Sequence, residues 1–333
     1  MPTIDIEKLK AEMIAAGKQR RRATGLKPQP SAAVSADKRA IDELLKSFLA
    51  KAGLDIAKLD ELLAKGQRDA RQAFEEQKAE AAKHAASDRE AYLHGIAGLK
   101  NTFAQLTSAS ANPTGQSSFI VLERALFILQ EPNFETDYPV QLNVGDYDNW
   151  VKFNIDTDEG SDLTTFVFYF LWENLSEYYA VVNVATPITL NGVCEVVAAP
   201  GDFSGSTTML QISTQLDPIE YWNQPPTLPA PQTATTFNSV LQLITDTGSI
   251  ISNSYPSDNA ALVNYQTSNL SYNLFLIPPA SAALFEVSVT IDYSISDTAD
   301  NIQDEVKADF LTGDHSVSCP FVLLQLVTPP PAA

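Results

Sequence analysis

The sequence contains very little cysteine and histidine. Two cysteines, Cys194 and Cys319, and three histidines stand among 333 residues. Two cysteines cannot form a disulfide framework, and so few thiol and imidazole ligands argue against a structural zinc site. The fold must therefore be held together by packing and hydrogen bonds.

Long apolar runs are also missing. No run approaches the roughly 18 residues that a membrane-spanning helix requires, so the sequence predicts no such helix. The first ten residues, MPTIDIEKLK, lack the apolar stretch of a secretory signal. The arginines at 20–22 are not followed by the hydrophobic core of a twin-arginine signal. We therefore expect synthesis in the cytoplasm without a cleavable signal.

Basic residues almost disappear after residue 100. Residues 1–100 carry 19 Lys and Arg against 15 Asp and Glu, a net charge of +4. Residues 101–333 carry three basic and 26 acidic residues, a net charge of −23. Because phosphate groups are bound through lysine and arginine, this composition argues against nucleic-acid binding by the second part. It also disfavours contact with anionic membranes.

Residues 1–36 are predicted to form a short helix and a flexible basic linker. Ile6, Leu9 and Met13 lie on one stripe of a helix over 3–17. Residues 18–36 are basic and then rich in proline, serine and alanine, which is typical of a linker.

Residues 37–110 are predicted to form a helical hairpin or a coiled-coil stalk. Asp37 can cap a first helix that ends at Gly53. Its apolar positions follow the spacing of one helix face and comprise Ile41, Leu44, Leu45, Phe48 and Leu49. A second, longer helix runs from about Asp55 to Thr107 without a proline.

The longer helix has apolar positions that recur every four and seven residues. They are Leu59, Leu63, Ala70, Phe74, Ala81, Ala85, Tyr92, Ile96 and Phe103. An eleven-residue repeat gives a nearly straight or slightly right-handed seam. So polar a helix needs a partner, either a second copy or the 41–49 helix folded back. The residues expected to mediate oligomerisation are Leu59, Leu63, Phe74, Tyr92 and Ile96.

Residues 112–330 are predicted to form an all-β region after a hinge at SANPTGQSS. Apolar residues alternate over 285–295, and Leu270, Tyr272, Leu274 and Leu276 alternate as well. Phe166–Trp172 is continuously apolar, as expected of a strand buried on both faces. Ten to twelve such segments predict a jelly-roll-like β-sandwich, or two sandwiches divided near 223–231.

Two further local predictions concern this β region. Asn191-Gly192, between Leu190 and Val193, predicts a hairpin with a type I′ turn. Asp300–Phe310 carries the clearest helical signal within the β region.

A dense acidic loop is a candidate cation site. Asp156, Asp158 and Asp162 surround Gly160, together with Glu159. Calcium binds six to eight oxygen ligands of this kind, although the order departs from the EF-hand pattern. The alternative is a solvated loop, since acidic clusters arise readily in so acidic a region. No other cofactor is predicted.

The large aromatic residues suggest a sugar-binding surface. They are Trp150, Trp172, Tyr178, Tyr179, Tyr221 and Trp222. Tyr221 and Trp222 precede the proline-rich segment NQPPTLPAP, where an exposed loop is expected, and are the candidate ligand-binding residues. Packing of both rings against the prolines is the alternative.

No complete catalytic motif is present. Asp246-Thr247-Gly248-Ser249 resembles the D-T-G-S signature of aspartic proteases over about seven residues, but there is no second copy of this motif. The segment also fits a β-turn. His315 and Cys319 are four residues apart, yet no third residue completes a nucleophilic site. Paired carboxylates for glycoside hydrolysis cannot be chosen among so many acids.

These features predict a non-enzymatic structural protein. A helical N-terminal region joined to an acidic β region without a signal is typical of components of released or surface particles. Phage capsids, phage tails and injection machines are examples. The expected partners are other copies and neighbouring subunits. One alternative is a soluble carbohydrate-binding or toxin-like β-sandwich that contacts surface glycans. A second is a hydrolase that uses paired carboxylates.

Overall fold

The structure is a computed structural model with a helical N-terminal part and a larger β part. It describes residues 5–24, 51, 53, 56–109, 119–131, 138–158, 160–198, 207–221, 236–246, 257–296 and 304–327. Helix α1 spans Ile6–Thr24, and helix α2 spans Ile56–Ala109 over 54 residues. The predicted order of helical and β segments is thus confirmed. The prediction of a linker from residue 18 is wrong for 18–24, because the helix continues through these basic residues.

Thirteen strands follow in the described residues. They are β1 Phe119–Leu122, β2 Phe127–Glu131, β3 Val140–Asn143, β4 Trp150–Thr157, β5 Ser161–Asn174, β6 Ala180–Ala198, β7 Thr207–Tyr221, β8 Thr236–Asp246, β9 Ser257–Ile277, β10 Ser281–Ser296, β11 Glu305–Asp309, β12 Ser316–Ser318 and β13 Val322–Leu326. They form two antiparallel sheets. The helical signal over Asp300–Phe310 is wrong, because Glu305–Asp309 forms a strand between β4 and β6.

Sheet A is organised around the long strand β6. One edge of β6 pairs with β9, and the other pairs in turn with β13, β12 and β11. Strand β4 lies beyond β11 and β12, β3 pairs with β4, and β1 pairs with β13. The long strand β6 therefore sets the register of most of sheet A.

Sheet B has the order β2–β5–β10–β7–β8. Phe166, Phe168 and Phe170 of β5 face the core, while Val167 and Tyr169 face the other side of the sheet. Leu9 and Met13 of α1 pack on Val167 and Tyr169. The prediction that this segment is buried on both faces is confirmed, because α1 covers its outer side.

One hydrophobic core lies between the two sheets. Phe153 of sheet A stacks on Phe166 of sheet B, with 4.8 Å between ring centroids. Phe275 of sheet A meets Phe285 of sheet B edge-on at 6.2 Å. Strands on either side of segment 223–231 belong to both sheets and contribute to this one core.

The predicted type I′ turn at Asn191-Gly192 is wrong. Both residues lie within the continuous strand β6. A Cβ on Gly192 would stand 2.6 Å from the carbonyl oxygen of Asp309 and 2.6 Å from the Phe310 ring. Glycine is needed here because the neighbouring chain approaches closely, not because the chain turns.

Candidate functional site

Strand β9 contains two β-bulges against β6. In the first, Asn191 opposes both Asn264 and Tyr265. In the second, Asn183 opposes both Asn273 and Leu274. The second residue of each pair has positive φ, 44° at Tyr265 and 60° at Leu274. This conformation is uncommon for residues other than glycine, and both instances fall at a bulge.

The first bulge is occupied by helix α2. The Tyr265 ring stacks on the ring of Tyr92, with 4.9 Å between centroids. The Tyr92 hydroxyl is hydrogen-bonded to Ser318 Oγ at 2.9 Å, and burial between helix and sheet raises the pKa of Tyr92. Beside it, Asn264 Nδ2 donates to Asp88 of the helix at 2.9 Å. The bulge thus presents an aromatic ring and an amide to one helix.

Helix α2 continues along the outer face of sheet A on both sides of this bulge. Phe103 is buried and meets Phe321 edge-on, with 4.9 Å between centroids. Arg89 and Arg71 form exposed ion pairs with Asp314 and Asp258 at 3.3 and 3.4 Å. The contacts advance along helix and strand together, so α2 runs parallel to β9.

The second bulge carries no such helix in the described part of the chain. Asn183 Oδ1 accepts a hydrogen bond from the backbone N–H of Leu274 at 3.0 Å, which satisfies the donor that the bulge removes from the ladder. The side chain of Leu274 is 64% exposed, and that of Leu276 is 44% exposed. The fold therefore holds two leucines in water.

The sequence predicted that Leu270, Tyr272, Leu274 and Leu276 share one face, and this is wrong. Leu270 and Tyr272 pack in or against the core. The extra residue of the bulge then reverses the alternation, so that Phe275 and Ile277 face the core instead. A one-residue shift exchanges the two faces of a strand.

Six exposed apolar residues gather at this end of the β region, and we name them the end patch. They are Leu175, Tyr178, Tyr179, Leu274, Leu276 and Val327, with exposed fractions between 42% and 69%. Leu276 pairs with Val181, whose carbonyl accepts from the N–H of Val327 at 2.8 Å. A clustered apolar surface of this kind commonly marks an interaction site.

Buried Asn174 holds the loop that carries three of these residues. Its Nδ2 donates to the carbonyl oxygens of Tyr178, Ile277 and Pro278 at 2.9, 3.2 and 2.9 Å. Its Oδ1 accepts from the N–H and the hydroxyl of Ser176. The loop is therefore tied to the β9–β10 connection, and the end patch is built on an ordered support.

The predicted calcium ligands Asp156 and Asp162 lie on strands of different sheets, and the calcium site stays a prediction. Asp156 pairs across the sheet with Lys307, whereas Asp162 pairs with Tyr293 in the other sheet. Burial raises the pKa of Asp156, although the nearby ammonium of Lys307 lowers it. Among the described residues, which include Asp158 but not Glu159, no group of three or more His, Cys, Asp or Glu side chains is arranged to hold a metal.

The predicted ligand-binding aromatics are only partly described. Tyr221 is the last residue of β7, and its backbone pairs with Ala282 at the same end of the molecule as the end patch. Trp222 lies outside the described residues. Among the side chains that the structure describes at this end, the exposed aromatic residues are Tyr178 and Tyr179. The sequence analysis missed the end patch. The signal that could have indicated it is the pair Tyr178-Tyr179 close to Leu175, in a short connection between two apolar strands.

The residues predicted to mediate oligomerisation have different surroundings. Tyr92 contacts the chain's own sheet A, a partner that the sequence did not suggest. Phe74 and Ile96 are half-buried on the helix, and the side chains of Leu59 and Leu63 lie outside the described residues. Their role in oligomerisation stays a prediction.

The residues considered for a nucleophilic or protease-like site have the following surroundings. Cys319 and Cys194 are buried free thiols. Burial raises the pKa of Cys319 to about 12, and Thr186 Oγ1 lies 3.3 Å from its sulfur. His315 instead contacts Asp309, with 3.4 Å between Nδ1 and Oδ2. Asp246 ends β8, and the rest of its motif lies outside the described residues.

No protein-family model matches this sequence, and no curated protein matches it either. Among the described residues, no helix is both long enough and apolar enough to cross a membrane.

Proposed function

We propose that this protein is a non-enzymatic structural component that assembles with copies of itself and with neighbouring subunits. In this proposal the two sheets form a jelly-roll-like β-sandwich that serves as the contact head. The helical region acts in docking or oligomerisation. The assembly is part of a released or surface particle, of the kind formed by phage or injection-machine components.

The end patch is the observation that carries the proposal. Leu274 is held at positive φ with its side chain in water, an arrangement that is unfavourable for an isolated molecule. The loop that carries Leu175, Tyr178 and Tyr179 is held in place by buried Asn174. Its amide donates to the carbonyl oxygens of Tyr178, Ile277 and Pro278. An ordered apolar surface loses little conformational entropy when a partner covers it.

The length of α2 also supports an assembly role. At about 1.5 Å per residue, its 54 residues span about 80 Å. Its contacts with sheet A begin at Arg71 among the described residues. Over 56–70, each side chain that the structure describes is exposed, including Lys58, Glu61 and Arg68. The helix therefore presents a rigid surface for neighbours.

A second candidate function rests on the two exposed tyrosines of the end patch. Tyr178 and Tyr179 are 49% and 57% exposed. Rings presented on an ordered loop can stack on sugar rings, which favours the carbohydrate-binding alternative. Assembly remains the preferred proposal because four of the six patch residues are aliphatic.

The test is the solution mass of the full chain, measured by light scattering over a concentration series. We expect an oligomer that dissociates when Leu274→Asn and Leu276→Thr are combined. Asparagine accepts positive φ and threonine suits a strand, so the fold should persist. The control is Leu163→Thr, an exposed leucine at the opposite end of β5.

Two outcomes would decide between the candidate functions. A wild-type chain that stays monomeric at all concentrations contradicts the assembly proposal. Binding of that monomer to a glycan array, lost in Tyr178→Ala with Tyr179→Ala, supports the carbohydrate-binding candidate instead.

A further inference from the structure

We propose that the end patch is covered by the apolar segment 41–49 of a second copy of this chain, so that copies join head to tail. This inference rests on the proposed function and specifies its partner. Segment 41–49 lies outside the described residues, and its helix is a prediction from the spacing of its apolar positions.

The first bulge shows what the outer face of sheet A accepts. There, Tyr265 has positive φ and stacks on Tyr92 of helix α2. The neighbouring Asn264 donates a hydrogen bond to Asp88 of the same helix. The second bulge repeats the two-to-one pairing opposite Asn183, eight residues earlier on β6. Beyond Tyr92, α2 moves away from β9, because Phe103 meets Phe321 and the helix contacts β1, across β6 from β9. Strand β1 is three strand spacings of about 4.8 Å from β9, about 14 Å in all, whereas packed helices need 8–10 Å. A second helix therefore fits beside α2.

Segment 41–49 has the chemistry for this position. Ile41, Leu44, Leu45, Phe48 and Leu49 fall on one helical face. The end of that predicted helix agrees with the structure, since Lys51 is helical and Gly53 has a φ of 83°. A helix this short is not stable alone in water, so its apolar face needs a partner surface.

The segment cannot reach the end patch of its own copy. Tyr92 marks the first bulge on α2, and Ile56 lies about 54 Å before it along the helix at about 1.5 Å per residue. Leu274 lies about 30 Å beyond Tyr265 in the opposite direction at about 3.3 Å per residue. The separation is thus about 80 Å. Fully extended, the fifteen residues from Ile41 to Ile56 span at most about 54 Å.

The same copy's segment 222–235 is a poorer occupant. It contains four prolines, Pro225, Pro226, Pro229 and Pro231, so it cannot form the helix that the first bulge accepts. It also connects two strands of sheet B, whereas Leu274, Leu276 and Val327 belong to sheet A.

Charge favours the head-to-tail contact. Residues 1–100 carry a net charge of +4 and residues 101–333 a net charge of −23. Glu173 and Glu177, both exposed, flank the loop of the end patch. Segment 41–49 itself carries Asp42 and Glu43 against Lys46, so the opposite charge comes from the basic residues of 18–39 that precede it, whereas contact between two end patches would bring like charges together. Because the joined surfaces differ, the contact is heterologous and yields a ring or an open row.

The experiment uses two complementary variants of the full chain. The first, Leu274→Asn with Leu276→Thr, loses the end patch and keeps the segment. The second, Leu45→Gln with Phe48→Gln, loses the apolar segment and keeps the patch, since glutamine preserves helix propensity. Each variant alone should bind itself roughly 30-fold more weakly than the wild type, the loss typical of removing a hot spot. An equimolar mixture should form a 1:1 dimer and grow no further.

Other outcomes overturn the inference, and they separate it from the proposed function. If the wild type assembles and the segment variant still assembles alone, the patch binds something other than segment 41–49. If both variants lose assembly but the mixture gives no dimer, the contact is not head to tail. A monomeric wild type contradicts the inference and the proposed function together.

Controls keep the comparison independent of misfolding. Leu163→Thr on β5 and Leu142→Thr on β3 change exposed leucines outside the helical region and the end patch. Both should assemble like the wild type. Circular dichroism and the thermal unfolding midpoint of all four variants should match the wild type, and a variant that unfolds is replaced by its single substitutions.

Discussion

The two bulges of β9 have the same backbone design and opposite surroundings. Both place one asparagine of β6 opposite two residues of β9, with positive φ at the second. Tyr265 at the first bulge is covered by α2, whereas Leu274 at the second is 64% exposed. The comparison teaches that each bulge turns a large side chain outward, and that among the described residues helix α2 covers the one at the first bulge.

The largest effect is expected from closing the space at the first bulge. Gly192→Ala places a Cβ against the carbonyl of Asp309 and the ring of Phe310, so we expect a loss of about 3 kcal/mol in the free energy of unfolding. Urea denaturation measures it. Gly95→Ala is the matched control, because a Cβ added there would have no neighbour within 4 Å apart from its own helix. This substitution should instead raise the free energy of unfolding by up to about 1 kcal/mol. Equal effects of the two substitutions would contradict this account of Gly192.

The same substitution at both bulges compares them directly. Tyr265→Asn removes the ring stacked on Tyr92 and should lower the free energy of unfolding by about 1.5 kcal/mol. Leu274→Asn removes an exposed side chain where asparagine tolerates positive φ, so a change within about 0.5 kcal/mol is expected. Both are read from denaturation curves at low protein concentration. Equal losses would mean that Leu274 is buried in the isolated chain.

The asparagine of the second bulge should have a smaller effect. Asn183→Ala leaves the N–H of Leu274 without its acceptor and should cost about 1 kcal/mol. Asn183→Asp keeps an acceptor oxygen at this position and serves as the matched control. If alanine and aspartate are equally destabilising in urea, the hydrogen bond to Leu274 does not support the bulge.

The smallest effect concerns acid stability beside the first bulge. Burial opposes ionisation of Asp309, but N–H donors of Leu311 and Thr312 and the nearby His315 outweigh it and hold the pKa of Asp309 below its usual value. A lowered pKa stabilises the fold above the unfolded-state value of about 3.9 and loses this contribution as the pH falls through the folded-state value. Asp309→Asn should therefore flatten stability against pH below about 4. Parallel curves for variant and wild type would contradict this.

Local pattern was enough for the order of segments. The period of apolar residues placed α1 and α2, and alternation placed β10 over Ser281–Ser296. The continuous run around Phe168 correctly indicated a strand covered on both faces. These predictions succeeded because side-chain periodicity is a property of a single segment.

The predictions that were wrong depended on distant neighbours. The pair Asn191-Gly192 has the sequence of a turn, but the glycine is needed because Phe310 leaves no room for a Cβ at position 192. The alternation from Leu270 to Leu276 looks unbroken, but the partner strand supplies one residue fewer and reverses it. Neither Phe310 nor Asn183 is close in sequence to the residue that it affects.

By itself the sequence determined the division into a weakly basic helical part and a strongly acidic β part. It also determined the period of each segment and the absence of a disulfide framework. The tertiary structure alone decided that α2 lies on sheet A, and that Leu274 and Leu276 join Tyr178 and Tyr179 in one end patch. The reason is physical: charge and periodicity are carried by neighbouring residues along the chain. A bulge or a patch exists only when segments far apart in sequence pair in a particular register.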